Sequence, residues 1–168
     1  MEYEAERPTG YTGIQIALHW VIAALVLFQL VFGEDMGGAF RAVRNGEPLD
    51  AAQGLSADLH IWIGVAILVL AAIRLVTRLG YGAPPPPAGS TALQARLADG
   101  MHWLFYVLLF TVPVSGLVAW YVTPAAGEIH ELCKPAFIVL IVGHAAAALY
   151  HQFVVRDGVL RRMLAPSR

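Results

Sequence analysis

His130 and His144 lie fourteen positions apart on one apolar segment, and His19 and His60 lie on two others. At a rise of about 1.5 Å per residue, fourteen positions span about 21 Å of helix axis. The same interval leaves the two side chains within about 40° of each other, so they point toward one interior. That arrangement suits two stacked metal cofactors, one near each face of a bilayer. Imidazole serves Zn, Cu, Fe and Ni alike. Zinc and copper sites in such surroundings usually recruit cysteine, methionine or carboxylate, and none lies beside these histidines deep in the apolar segments. A porphyrin instead wants an apolar slot, small residues for close backbone approach, and axial nitrogens from opposite helices. Gly64 follows His60 by one turn, Gly116 follows Pro113, and Gly143 precedes His144. Such glycines also serve ordinary membrane-helix packing.

The elements that must position these side chains are membrane helices. The chain is 58% hydrophobic and 14% charged, where a soluble domain carries about a quarter charged residues. Its apolar stretches, Ile14–Phe32, Leu59–Thr77, Met101–Val122 and Ala136–Val155, are each long enough to cross a hydrocarbon core of about 20 residues. The last helix is expected to start near Glu128. The fold class is therefore an all-α integral-membrane four-helix bundle, one domain over residues 1–168. Gly33–Asp58 forms a long polar connection, Pro84–Pro87 a stiff extended link, and Thr123–Gly127 a turn short enough to make the last two helices antiparallel neighbours. Pro135 should kink the last helix just inside His130.

Net charge is −1, which gives no reason to expect a nucleic-acid partner, and a single cysteine, Cys133, excludes an internal disulfide and all-cysteine iron–sulfur sites. No C-x-x-C-H occurs, so any haem is non-covalent. The N-terminus is acidic rather than basic, so the first apolar run reads as a retained helix. Arg7, Arg74, Arg78, Arg96, Arg156, Arg161, Arg162 and Arg168 fall on one side, against Arg41, Arg44 and Lys134 on the other. Both termini are thus expected in the cytoplasm, with an acidic outer face. His60 and His130 then belong to the outer half, and His19, His102, His144 and His151 to the inner half. Any one of them could be a neutral histidine bonded to a neighbouring helix. Six in so short a chain, sorted into two sets, favour cofactors.

The sequence resembles the bacterial cytochrome b561 family, four-helix di-haem membrane cytochromes that include superoxide oxidase. The resemblance rests on His19-Trp20, on His60-x-x-x-Gly64 leading to Arg74-Leu75-x-x-Arg78-Leu79, and on His102-x-x-x-Tyr106 through Pro113-x-x-Gly116-Leu117. It continues through Glu128-Ile129-His130, and from Gly143-His144 to His151. The resemblance implies two non-covalent haem b groups in a bacterial inner membrane. His60 and His130 would be the axial pair of the outer one, and His19 and His144 that of the inner one, with His102 a rival for the inner ligands. Two axial imidazoles leave iron no open position, so such a haem carries electrons. Phe137, on the stripe His130, Phe137, His144, His151, would stand between the two as core filling or as part of the electron path.

The resemblance further implies electron entry at the outer haem, superoxide being the donor in superoxide oxidase, and exit to ubiquinone, a superoxide:ubiquinone oxidoreductase activity. Lys134, one turn from His130, could attract the anion or could serve as a snorkelling interface anchor. The acidic outer loop opposes anion capture. His151, His102, Tyr106, Arg74 and Trp103 are candidates for the quinone headgroup. Arg74 and Arg78 could instead pair with haem propionates, or act only as positive-inside anchors. A second reading keeps the haems but makes the chain the cytochrome b subunit of a partner oxidoreductase. A third is a haem-free structural membrane protein.

Overall fold

The computed structural model describes residues 10–166, so Arg7 and Arg168 of the charge argument lie outside the described residues. The described residues form five α-helices: α1 (Gly13–Phe32), α2 (Met36–Arg44), α3 (Ala51–Tyr81), α4 (Ala92–Tyr121) and α5 (Ala126–Tyr150). All but α2 are long and apolar enough to cross a membrane, the last one including the turn that follows it to Val155. No strand occurs among the described residues.

Three of the spans start where a capping box starts them. Thr12, Asp50 and Thr91 each accept a hydrogen bond from the backbone N–H three residues on, and Gln15, Gln53 and Gln94 reach back to the cap's own N–H. Each box satisfies helix-end donors that would otherwise be left over. This is why α3 and α4 extend well beyond the apolar stretches Leu59–Thr77 and Met101–Val122. Their first two turns are polar helix outside the apolar core, and His60 sits inside α3 rather than at its start. The connection read as a polar loop also contains α2, whose Ala39 and Ala42 are buried. Pro84–Pro87 is non-helical, as its prolines require.

Helix α5 packs most extensively against α4, α1 against α3, and α3 against α4, while the backbones of α1 and α3 stand back from α5. The middle of the bundle is filled by Ile22, Ile67, Ala71, Leu108, Leu109 and Phe137. Outward residues such as Trp62, Val76, Leu132 and Val139 are largely exposed, as lipid-facing residues should be. Because lipid tails are as apolar as leucine, helix association here leans on packing and interhelical hydrogen bonds. Gln15 provides one such knot. Its side chain donates to the Gly82 carbonyl at 3.0 Å, and its own carbonyl accepts from Arg74 at 2.8 Å. Trp20 donates to the Met163 carbonyl and Arg162 to that of Pro85. The start of α1, the α3–α4 link and the C-terminal segment are thereby gathered at one end of the bundle.

Candidate cofactor sites

The structure brings the histidines together in two groups at opposite ends of the bundle core. In one, the rings of His60 on α3 and His130 on α5 have centroids 5.9 Å apart. In the other, His144 on α5 lies 6.2 Å from His19 on α1 and 5.7 Å from His102 on α4. Two imidazoles binding one metal from opposite sides, each nitrogen about 2 Å from it, have centroids about 6 Å apart. Both groups therefore have the separation of an axial pair. His60 and His130, and likewise His19 and His144, come from helices whose backbones stand apart, which leaves width for a flat macrocycle between them, whereas His102 and His144 come from closely packed helices. Among the described residues no three ligating side chains converge on a point that a bare ion could occupy.

Helix α5 supplies a histidine to each group, as the fourteen-residue interval requires. It passes through Pro135 without losing its helical turn, and the expected kink does not carry His130 away from His60. The His130 Nδ1–H donates to the Val112 carbonyl at 2.8 Å. A carbonyl only accepts, so this bond fixes a proton on Nδ1, and in the neutral ring Nε2 is then the nitrogen available to a metal. Gly116 makes the approach possible, since a Cβ there would come within 3.0 Å of the His130 ring. Gly33 does the same for His60, where a Cβ would meet the ring at 3.1 Å. The His60 Nδ1 is buried with no hydrogen-bond partner among the described residues.

A cavity of about 530 Å³ opens beside the pair, lined by Gln29, Gly64, Pro113, Gly116, Phe137 and both histidines among others. This volume is ordinary for a cofactor site. Gly64 fronts the cavity beside Gln29 of α1, which a Cβ there would meet at 3.8 Å. Gly143 has open space where its side chain would be, so it clears no room beside His144. Above the cavity, Met36, Gly37 and Phe40 of α2 form its cover, with Phe40 tilted against Trp120 at 6.2 Å. Lys134 also lines the cavity, but its ammonium is taken by Glu34 in an ion pair between the end of α1 and α5. That hydrogen bond, with the Lys134 charge, holds the Glu34 carboxyl below the usual carboxylate range.

The second group is ringed differently. Phe105 meets His144 edge-on at 5.3 Å, and Trp20 meets His19 at the same distance. The His102 Nδ1–H donates to the Ala98 carbonyl at 2.6 Å, so its Nε2 is also free, and His102 is a structural rival to His19 for pairing with His144. Arg74, Arg78 and Tyr106 line a small polar cleft with Tyr11 and Gln15, and Trp103 packs on Tyr106 at 5.8 Å. Four of the five quinone candidates thus sit on neighbouring turns. The fifth, His151, is engaged elsewhere. It donates to Asp157 at 2.5 Å within a π-type turn closed by Arg156 N–H on the His151 carbonyl, which puts Arg156 at φ 59°. Partial burial raises the Asp157 carboxyl, but the hydrogen bonds from His151 and the Val159 N–H outweigh it and leave it below its ordinary range.

Phe137 stands between the groups. It lines the cavity and meets Phe105 edge-on at 6.0 Å, and Phe105 in turn meets His144. Phe105, Gln29 and Gly33 were not picked out by sequence. Gln29 carried a signal, a polar amide deep within an apolar stretch, and it donates to the His60 carbonyl at 2.7 Å.

A four-helix membrane bundle with facing histidines at both ends defines a class, the b-type membrane cytochromes. The model of the prokaryotic cytochrome b561 family matches residues 10–166, and the chain belongs to that family. It is similar to cytochrome b562 of Cereibacter sphaeroides, 42% identical over 94% of this chain and 96% of that one. It is 27% identical to a probable superoxide oxidase, CybB, of Yersinia pestis, over 94% and 97% of the two chains. It is 28% identical to cytochrome b561 homolog 2 of Escherichia coli, over 95% and 94%. The chain is accordingly a multi-pass bacterial membrane protein of electron transfer, of a family that implies haem b.

Proposed function

We propose that this protein carries electrons across the bacterial inner membrane between two haem b groups, from superoxide at the outer face to ubiquinone at the inner, with both termini in the cytoplasm. In this reading His60 and His130 hold the outer haem, and His19 and His144 the inner. The observation that carries it is the pair of imidazole groups, each at axial-pair separation, at opposite ends of one bundle. When bound, bis-histidine haem supplies reversible exchange of one electron without an open coordination position. The protein's part is to aim the ring nitrogens, through contacts such as His130 Nδ1–H to the Val112 carbonyl, while Phe40 and α2 line one side of the outer cavity. Arg74, half-buried and without a carboxylate partner among the described residues, offers a guanidinium to a propionate or to a quinone oxygen.

The balance of the reaction is simple. Two superoxide anions each lose one electron and leave as O₂, and one quinone takes up the two electrons and two protons to become quinol. We read His102, Tyr106, Arg74 and Trp103 as the groups that would receive the quinone headgroup, His151 being held by Asp157. Haem quantification and superoxide-driven quinone reduction on the purified chain test the reading. Two haems per chain and turnover are expected, and a chain without a reduced-minus-oxidised haem spectrum ends it.

The Glu34–Lys134 ion pair favours a second reading, in which the electron donor is a partner oxidoreductase rather than a small anion. Lys134 is not free to collect anions, and Glu47, Asp50, Asp58, Glu128 and Glu131 belong to the same acidic end. A partner that co-purifies in mild detergent, with no superoxide oxidation by the isolated chain, would select it.

A further inference from the structure

Three charged side chains line the outer cavity: Glu34 just past the end of α1, and Glu131 and Lys134 on α5. Lys134 is the only lysine in the sequence. Its ammonium donates to Glu34 Oε1 across one hundred positions of chain. Neither partner is buried, the side chains being 39% and 74% exposed. An exposed pair of this kind is weak and competes with dissolved ions. A carboxylate held against an ammonium at the mouth of a cavity also stands where a small anion would be held. Glu34 is in effect a tethered anion.

We propose that Glu34 fills the anion subsite offered by Lys134 and thereby sets which charge of electron donor reaches the outer cavity, favouring cationic or neutral donors and admitting small anions only when displaced. This rests on the outer cavity being the point of electron entry. With Glu34 in place the mouth carries two carboxylates and one ammonium. Arg41 and Arg44 of α2 do not line the cavity; Arg44 lies over the cavity-lining Phe40 at 5.9 Å, a positive charge common to the parent and to every variant compared below. Glu34→Gln keeps the size of the side chain, removes one negative charge, and leaves Lys134 open. Lys134→Gln does the reverse. The redox event itself forms and breaks no bond: the donor loses one electron and the protein's bound centre gains it.

Because Lys134 is the only lysine, ¹⁵N-lysine labelling of the haem-loaded full chain gives one side-chain resonance that reports on the subsite directly. Titration with thiocyanate should move that resonance at a concentration at least about threefold lower in Glu34→Gln than in the parent. A second readout is stopped-flow reduction by ascorbate, an anion, and by hexaammineruthenium(II), a cation, at low ionic strength. Glu34→Gln should raise the ratio of ascorbate to ruthenium rates by about threefold to tenfold, and Lys134→Gln should lower it. Added salt should shrink both changes. An unmoved lysine resonance, together with unchanged ratios in both variants, overturns the proposal. The outcome for superoxide is separable. If the ratios shift but no variant oxidises superoxide, the subsite stands and superoxide is not the donor. If the parent oxidises superoxide while neither ratio shifts, the donor stands and the subsite falls.

Discussion

The outer histidine pair and the inner histidine trio use the same side chain under opposite conditions. The outer pair has two rings, a cavity of about 530 Å³ beside them, and glycines pressed against both imidazoles. The inner group has three rings, with His144 in contact with both others and aromatic edges closing around them. The outer site therefore has no spare ligand, while the inner has one. An electron-entry site needs access and pays for it with dependence on a few backbone contacts. An inner site walled by rings depends less on any single backbone clearance, since Gly143 there faces open space.

The largest effects should come from the histidines that nothing can replace. His130→Ala or His60→Ala is expected to halve the haem-to-protein ratio measured by pyridine haemochrome, with the remaining haem at the inner site. His144→Ala should also halve it, since His144 is the one ring shared by both inner neighbours. The comparison sharpens with His19→Ala and His102→Ala. The proposed ligation predicts loss of one haem in the first and retention of both in the second. The opposite result would transfer the inner ligand role to His102, whose Nε2 is already left free by its bond to Ala98.

An intermediate effect is expected from the backbone clearances. Gly116→Val places a Cβ within 3.0 Å of the His130 ring and branches it further, so the imidazole must move off its bond to Val112. Changes of this order around metal-bound histidine cost about 10–100-fold in affinity. Outer-haem retention during dilution and its midpoint potential would report it. Gly143→Val is the control, with open space at that position and no loss expected at the inner site. Equal behaviour of the two variants would erase the proposed difference between a tightly fitted outer site and a tolerant inner one.

The outline of this fold was legible because membrane helices must be apolar for about 20 residues, and the four spans stood out on that ground alone. The ends of the helices were less so, although the sequence contained them. Thr12, Asp50 and Thr91, each followed three residues on by glutamine, are start signals that hydropathy does not weigh. Helix α2 was hidden because a nine-residue amphipathic helix between glycines has no apolar run. The histidines could be sorted by depth from their order along the spans, while the pairings came from the resemblance; the structure brings His60 to His130, and His144 to both His19 and His102. What no local pattern could supply was contact between distant residues. Glu34 meets Lys134, Gly33 makes room for His60, and Gly116 makes room for His130 only once the helices are assembled.

The smallest effect concerns the C-terminal segment at the inner end. Asp157 accepts from His151 and from the Val159 N–H, and its carboxyl is held below the ordinary value of about 3.9. A carboxyl depressed in the folded state stabilises it fully above the ordinary value, and that contribution is lost as pH falls through the ordinary value toward the folded one. The turn after α5 should therefore be firm at neutral pH and loosen only below about pH 4. Trp20 provides the reporter, because its indole N–H donates to Met163 in the same segment. Its indole resonance should broaden or shift in that acid window, while the outer site, with no contact to the segment, keeps its haem spectrum. In Asp157→Asn the acceptor remains but the titration is gone, so the acid transition of the Trp20 signal should flatten. A transition that persists unchanged in Asp157→Asn would mean that the acid response of this end belongs to another group, and that the His151–Asp157 pair does not anchor the segment.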